Sequence, residues 1–289
     1  MPSLTYPVVI GGMGGSGTRV IAEILKESGV FLGDYTNDML DNYYFNFFIT
    51  GSMEDELEKE SSKELNRRFM LLEKAMTNRI PYSQKLSSLP LMIRISIEQI
   101  RTHWRVRGFW RRSKWSFNCV RKMLTANRSI KKWGWKSPHT FLYIKHLNQN
   151  FPEMRFIQSI RDGFDMAYTK NLHHFGYLKS LGMTKPTDPN TLPSINFEAW
   201  YRLNKKTIET GKHILKDRFL AIKFEDLCFN PESTIIQILD FLDLKNDPRK
   251  LVPLVTIPKT IGRHKEHIRD FTDEQYTKKR EIEAAIREL

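Results

Sequence analysis

Cysteine, long apolar runs and acidic side chains are all scarce in this chain of 289 residues. Its two cysteines, Cys119 and Cys228, are too few for a disulfide framework, and neither stands in a CxxC or CxxH spacing typical of zinc sites. A reducing, cytoplasmic location is therefore predicted. No apolar run approaches the ~18 residues of a membrane-spanning helix, and the first residues lack the basic region and apolar stretch of a signal peptide.

Positive charge is abundant and unevenly distributed. The chain has 46 Lys and Arg against 33 Asp and Glu, a net charge of +13. Between Arg94 and Lys132 there are twelve Lys and Arg and one acid, Glu98, so this segment alone carries +11. Three tryptophans are interleaved with these cations: Trp104, Trp110 and Trp115. With 40% hydrophobic residues the chain can bury a full core, and we predict one domain over residues 1–289.

Short β-branched runs alternate with helical patterns along the chain. Strands are predicted over Tyr6–Ile10, Met154–Ile160 and Arg218–Phe224, and apolar residues at helical spacing follow them. This alternation predicts an α/β fold, a parallel sheet flanked by helices. The stretch of about 35–130 has no convincing strand and is predicted to be a helical, basic insertion.

A glycine-rich loop follows the first predicted strand, before a helix predicted over Arg19–Gly29. Such a loop points backbone N–H groups and the positive end of a helix at one place, which suits phosphate or sulfate. Thr18 and Arg19 stand where a nucleotide P-loop has its Lys-Ser/Thr ending, so the usual phosphate-binding lysine and magnesium-binding hydroxyl are missing. The sequence thus predicts a P-loop-like nucleotide site without ordinary ATP or GTP hydrolysis. A glycine turn with only a packing role is the alternative.

The Gly-x-x-x-Ser-Gly-Thr pattern of this loop resembles the 5′-phosphosulfate loop of the sulfotransferases that use 3′-phosphoadenosine 5′-phosphosulfate (PAPS). In the family's 3′-phosphate element, an arginine and, eight residues later, a serine hold the phosphate. Arg161 matches the arginine, and Thr169 retains the hydroxyl. Three further segments resemble family motifs: Trp135–His139, Lys223–Leu227 and Thr260–His264. The matches keep their order over about 6–32 and 133–265, and the stretch between them has no counterpart.

The resemblance implies transfer of a sulfuryl group from PAPS, as co-substrate, to a hydroxyl or amine, with no metal. The residues implied to hold the 5′ end are Gly14, Gly15, Ser16, Gly17, Thr18 and Arg19. Those implied to hold the 3′-phosphate are Arg161, Thr169, Gly262 and Arg263.

One departure from the family pattern concerns catalysis. The family usually has Lys or Arg at the position of Gly15. Because sulfuryl transfer needs positive charge on the leaving oxygen, Arg19 and Lys136 are the natural substitutes. An acceptor hydroxyl also needs a general base. The candidates are Asp34, Asp38, Asp41 and His139, of which His139 and Asp41 are favoured.

Two other functions fit the same residues: an atypical nucleotide-dependent kinase, and a non-catalytic nucleotide-binding protein with a sulfotransferase-like fold. The basic segment fits an acidic acceptor, such as an anionic glycan or lipid head group, or peripheral contact with an anionic membrane. A solvated helical lid with its tryptophans in the core is the alternative. The interleaved Trp and Arg also fit nucleic-acid binding, but their spacing gives no base-reading motif, so no specific nucleic-acid partner is predicted.

Overall fold

The computed structural model describes residues 6–49, 63–77, 82–126, 130–170, 178, 181–184, 188–267 and 271–288, without the side chains of 82–86 and 102–107. The strands are β1 (Pro7–Gly11), β2 (Trp133–Lys136), β3 (Arg155–Ile160) and β4 (Phe219–Lys223). The helices are α1 (Thr18–Glu27), α2 (Tyr43–Phe48), α3 (Lys63–Thr77), α4 (Tyr82–Arg107), α5 (Phe109–Thr125), α6 (Ile144–Asn150), α7 (Gly163–Ala167), α8 (Leu192–Ile214), α9 (Phe224–Phe229), α10 (Pro231–Phe241) and α11 (Asp273–Arg287).

The four strands form one parallel sheet in the order β2-β1-β3-β4. Pro7 of β1 lies opposite Trp133 of β2, and Val8 lies opposite Arg155 of β3. The chain therefore leaves β1 toward one edge of the sheet and later returns on the other side of β1. In such sheets a crevice opens at the carboxyl ends of the strands where the order reverses.

Helices cover both faces of the sheet. All five residues of β1 are buried, as expected for a strand enclosed on both faces. Val8 and Ile10 point into a core formed with α1, α9 and α10, whereas Val9 points into the larger core formed mainly with α2, α3, α6 and α8. Alternate side chains of this one strand therefore pack into two different cores. The predicted α/β class is confirmed.

The strands predicted from β-branched runs correspond to β1, β3 and β4, with boundaries within one residue. The first predicted helix corresponds to α1, which ends at Glu27 two residues before Gly29. The helix after β3 begins at Gly163, where the side chain of Asp162 caps it by accepting from the N–H groups of Phe164 and Asp165.

The long segment between α1 and β2 is helical where the structure describes it. The α2, α3, α4 and α5 helices lie there, and among the described residues of 35–126 there is no β-strand, only an isolated bridge between Thr36 and Asn42. Trp115 is half-buried against Tyr43, whereas Trp110 is 83% exposed. The alternative that places the tryptophans in the core is therefore wrong for Trp110, because α5 buries its opposite face. Trp104 lies outside the described side chains.

None of the helices in the described part of the chain combines the length and the apolarity that crossing a membrane requires.

Candidate functional site

A cleft of about 420 Å³ lies at the carboxyl ends of the strands. All four strands contribute to it: the glycine loop follows β1, Lys136 ends β2, Arg161 follows β3 and Phe224 follows β4. Of the residues predicted for the site, those on the cleft wall are Gly14, Gly15, Gly17, Thr18, Arg19, Asp41, Lys136, His139 and Arg161. The cleft thus occupies the crevice that the strand order predicts.

The loop between β1 and α1 adopts backbone conformations that favour glycine. The φ angle is +95° at Gly15 and +87° at Gly17, in the left-handed region. A Cβ on Gly17 would lie 2.0 Å from Cδ2 of Phe224, so that ring closes directly on the loop. Gly17 is the N-cap of α1, and no side-chain hydrogen bond caps the helix there. The helix therefore offers its first N–H groups to an anion.

Ser16 contributes a buried hydroxyl to the same loop. The residue is 1% exposed, and its Oγ has no hydrogen-bond partner among the described residues. Its backbone is paired, because its N–H donates to the carbonyl of Met13 and its carbonyl accepts from the hydroxyl of Ser159. A buried unpaired hydroxyl is costly, and an anion held in this loop would supply the missing partner.

Arg161 and Thr169 reach this loop from the β3–α7 region. Arg161 is 4% exposed, and its Nη1 lies 3.4 Å from the carbonyl oxygen of Gly15. The hydroxyl of Thr169 lies 3.8 Å from the position that a Cβ on Gly15 would take. The chain therefore brings an arginine and a hydroxyl to one turn of the glycine loop.

Asp165 connects this arginine to a distant loop, a role that its sequence neighbourhood does not reveal. Its carboxylate lies 3.3 Å from Nη2 of Arg161 and accepts hydrogen bonds from the backbone N–H groups of Gly262 and His264. The ring Nδ1 of His264 lies 2.7 Å from the same carboxylate. Arg161 also donates to the carbonyl of Thr260. The spacing of Arg161 and Asp165 suggests an ion pair on one helical turn, but a contact between residues almost a hundred positions apart has no local signal.

The residues predicted to hold a 3′-phosphate lie close together, but their hydrogen-bond partners differ. Gly262 has its N–H on Asp165, whereas Arg263 donates to the carbonyls of Thr260 and Tyr168. Burial lowers the pKa of Arg263, and the positive charge of Arg161 lowers it further, while Asp165 acts in the opposite direction. The two guanidinium groups are therefore near enough to repel each other, an arrangement that an anion would stabilise.

Three possible metal-ligand groups also meet beside this loop. One ligand atom each from Asp162, Asp165 and His264 lie within 4.8 Å of one another. Asp162 is already paired with Lys279 of α11 at 2.8 Å, and Asp165 holds the contacts described above. These carboxylates therefore act as a clamp that joins α7, α11 and the 260–264 loop.

Lys136 and Asp41, both predicted as catalytic, form an ion pair at the cleft. Lys136 is 5% exposed, and its Nζ lies 2.7 Å from Oδ1 of Asp41 and 2.9 Å from the carbonyl oxygen of Met39. The other carboxylate oxygen of Asp41 accepts from Nδ2 of Asn37 at 2.8 Å. Asn37 was not among the sequence candidates, although its spacing from Asp41 is typical of a polar loop turn. Lys136 therefore has a fixed position at the cleft wall.

The remaining candidates differ in their placement. Arg19 lines the cleft but is exposed, and its Nε donates to Glu23 on the same helix at 3.1 Å. His139 lines the cleft at the start of the 3₁₀ turn Thr140–Tyr143. Asp34 accepts from the hydroxyl of Tyr44, and Asp38 is exposed; neither lines the cleft. The structure thus favours Asp41 and His139 over the other two candidate bases on position alone.

An α/β fold with a glycine loop at a helix N-terminus and cationic side chains at the carboxyl ends of its strands is typical of proteins that bind phosphate or sulfate groups. The sulfotransferase family model matches residues 7–248, so the chain belongs to the sulfotransferase family, whose members transfer sulfuryl groups. No curated protein sequence matches the chain significantly.

Several solved structures are similar to the chain at low sequence identity. The sulfotransferase domain from the curacin biosynthetic pathway is 13% identical, with 89% of this chain and 80% of that chain covered and a TM-score of 0.44. The sulfotransferase domain of the Synechococcus PCC 7002 olefin synthase is 14% identical, with 96% and 90% covered and a TM-score of 0.44. Retinol dehydratase, solved with androsterone and the inactive cofactor PAP, is 13% identical, with 100% and 81% covered and a TM-score of 0.41.

Proposed function

We propose that this sulfotransferase uses PAPS as its sulfuryl donor and a hydroxyl or amine as its acceptor. The observation that carries the proposal is the contact of Arg161 with the glycine loop, with Nη1 3.4 Å from the carbonyl oxygen of Gly15. PAPS is anionic at both the 5′ and the 3′ position of one ribose. A site for it needs an N–H loop and an arginine side by side, since the guanidinium fork suits a phosphate.

The glycine loop has the donors that a 5′-phosphosulfate requires. The uncapped start of α1 offers backbone N–H groups, and the buried hydroxyl of Ser16 has no partner among the described residues. Gly14, Gly15, Gly17 and Thr18 would bind through their backbone, which explains why a loop with two positive φ angles is suited to this task. The residues present therefore fit an anionic group at this position.

The 3′-phosphate would be held by Arg161, Thr169 and Arg263. Arg161 and Arg263 lie close enough for their charges to interact, and a bound phosphate would add negative charge to that of Asp165, which already pairs with Arg161. The N–H of Gly262 donates to the carboxylate of Asp165, so we propose that Gly262 shapes the loop that presents Arg263. Asp165 would position Arg161 by holding its Nη2.

Lys136 would stabilise the negative charge that develops on the leaving oxygen, in place of the basic residue that the family has at the position of Gly15. Its ammonium has three N–H donors, of which two contact Asp41 and Met39. The carboxylate of Asp41, which contacts both Lys136 and Asn37, would orient the lysine. His139, on the same wall, would accept the proton of the acceptor.

Binding of adenosine 3′,5′-bisphosphate and of adenosine 5′-phosphate, measured by calorimetry, tests the 3′ site. The native chain should prefer the bisphosphate. Arg161→Gln should weaken bisphosphate binding by on the order of tenfold to a hundredfold, as expected for lost charge-assisted hydrogen bonds, and should change binding of the 5′-phosphate much less. Equal affinity of both proteins for the bisphosphate would remove Arg161 from the site.

Arg155→Gln is the matched control for this experiment. Arg155 lies at the opposite end of β3 and pairs with Asp243 at 3.0 Å, so its loss should leave both affinities unchanged. Transfer of label from radiolabelled PAPS to simple phenol and alcohol acceptors tests turnover. Tight binding without any transfer would favour the non-catalytic alternative, and magnesium-dependent ATP binding would favour the kinase alternative.

A further inference from the structure

The outer face of α5 exposes aromatic and cationic side chains in one stripe. Trp110 is 83% exposed and Phe117 is 66% exposed; seven residues apart, they lie on the same helix face. Lys114 and Arg121 are exposed at positions that continue this face. We call these four residues the α5 stripe. The ring of Phe109, also exposed, contacts that of Trp110 edge-on at 5.6 Å between centroids.

The α5 stripe is not part of the packed core. The opposite face of the helix anchors it, because buried Arg112 donates to Gln99 of α4 and lies over the ring of Trp115 at 3.7 Å. Cys119, on the same inner face, is buried. A stripe of large apolar side chains left in water, beside a helix face that is already packed, is typical of an interaction surface.

The positive charge of α5 is only partly neutralised by acids: among the described residues, Nζ of Lys122 lies 3.8 Å from a carboxylate oxygen of Asp34. The helix has five Lys and Arg and no Asp or Glu. Some surface cations elsewhere are paired with carboxylates, as in Arg202–Glu198, Arg249–Glu232 and Lys212–Glu288. Among the residues that the structure describes, no ion pair joins Arg111, Lys114 or Arg121 to an acid. The surface is therefore complementary to a negatively charged partner.

We propose that the α5 stripe docks on the surface of an anionic lipid bilayer. Trp110 and Phe117 would enter the interfacial region, where tryptophan is favoured, and Lys114 and Arg121 would contact headgroup phosphates. The neighbouring helix α4 exposes Ile93 and Ile97. Aliphatic side chains favour the apolar part of a bilayer but do not stack on bases, which favours lipid over nucleic acid.

Docking goes beyond the proposed function, because it needs neither nucleotide nor turnover. Docking would also affect sulfuryl transfer, and this effect rests on the proposed function. Trp115 of α5 packs edge-on against Tyr43 at 5.7 Å between ring centroids, and Tyr43 lines the cleft. A docked α5 would therefore hold the cleft close to acceptors at the bilayer surface.

Co-sedimentation of the full chain with vesicles tests the proposal without nucleotide. We expect binding to vesicles of phosphatidylcholine mixed with phosphatidylglycerol, weak binding to phosphatidylcholine alone, and loss of binding as salt rises. Trp110→Ala and Phe117→Ala should each weaken binding by about tenfold, from lost apolar burial. Lys114→Gln and Arg121→Gln should each weaken it by about fivefold. Brominated lipid should quench native emission more than that of Trp110→Phe.

Phe229→Ala and Lys245→Gln are the matched controls, since both residues are exposed on other elements. They should bind vesicles like the native chain. If Trp110→Ala lowers the melting temperature, vesicle binding of Lys114→Glu becomes the deciding measurement, because this variant changes the charge on the exposed side of α5. Three outcomes overturn the proposal. The first is no binding to anionic vesicles, and the second is vesicle binding that the α5 stripe variants leave unchanged. The third is self-association, or binding of a single-stranded oligonucleotide, that occurs in place of vesicle binding and that Trp110→Ala abolishes.

Discussion

At the scale of single residues, the cleft combines a glycine at position 15 with a lysine at position 136. Gly15 has a φ of +95°, where a side chain is strained, so the loop conformation itself disfavours the basic residue that the family usually has there. Lys136 reaches the same cleft from the end of β2 and is held by Asp41. In the proposed function, the positive charge is thus supplied by Lys136 on a neighbouring strand.

Lys136→Met should lower kcat of sulfuryl transfer by on the order of a hundredfold to a thousandfold, the effect of losing one preorganised group that stabilises charge, with little change in bisphosphate affinity. Single-turnover kinetics with PAPS measures the first and calorimetry the second. Lys131→Met, an exposed lysine before β2, is the control. Lys136→Met leaves the carboxylate of Asp41 without its lysine partner, and adding Asp41→Asn removes that carboxylate. Recovery of the sulfuryl-transfer rate in the double variant would show that Lys136 acts only through folding.

Gly17→Ala should impair the loop more than the same change at Gly29. Both glycines have a positive φ, +87° and +85°, so each alanine carries similar backbone strain, about 1–2 kcal/mol. The Cβ at Gly17 would also meet the Phe224 ring at 2.0 Å, whereas nothing lies within 4 Å at Gly29. We therefore expect Gly17→Ala to lose nucleotide affinity as well as stability, and Gly29→Ala to lose stability only. Urea unfolding and calorimetry measure both, and equal nucleotide affinity of the two variants would contradict this.

At the scale of secondary structure, the sequence predicts what local patterns encode. The β-branched run before a glycine loop predicts β1 and α1, and alternation predicts the parallel sheet. Other features depend on long-range contacts. Asp165 binds the N–H groups of Gly262 and His264, and Lys136 pairs with Asp41 at the cleft wall. Neither contact leaves a periodic or spacing signal, so local reasoning names Lys136 and Asp41 without their contact and does not single out Asp165.

The contacts of Asp165 predict how acid affects the 260–264 loop. Burial by itself raises the pKa of Asp165, but hydrogen bonds from His264 and Gly262 and the charge of Arg161 outweigh it, so this pKa lies below its ordinary value. A carboxyl of this kind stabilises the fold fully above its ordinary pKa and loses that contribution as the pH falls through the lower folded value. Stability should therefore fall at pH below about 4.

Asp165→Asn should reduce the free energy of unfolding at neutral pH and flatten its decline in acid, as measured by urea unfolding at a series of pH values. Asp243→Asn is the control, since Asp243 forms an exposed pair with Arg155, and exposed pairs contribute little. An acid profile of Asp165→Asn parallel to that of the native chain would show that this carboxyl does not hold the loop.

At the scale of the whole molecule, four strand ends and the 37–41 segment surround one cleft, and Arg161 connects this cleft to the 260–264 loop. The glycine loop, the end of β2, the turn after β3 and the 260–264 loop come from widely separated parts of the chain. Arg161 joins three of these elements through Gly15, Asp165 and Thr260. A ligand that spans the cleft should therefore stabilise the molecule as a unit, because it adds contacts across segments that local unfolding would separate.

Adenosine 3′,5′-bisphosphate should raise the melting temperature of the native chain, since a ligand at a hundredfold its Kd stabilises the folded state by about 2.7 kcal/mol. Hydrogen exchange should slow in residues 14–18 and 260–264, while amides of α10, which lies outside the cleft wall, should exchange as before. Arg161→Gln should lose the slowing at 260–264 and retain part of it at 14–18, because the 5′ end still meets the glycine loop. Uniform slowing in both proteins would place the nucleotide elsewhere, whereas slowing at 260–264 that survives Arg161→Gln would assign the 3′-phosphate to Arg263 alone.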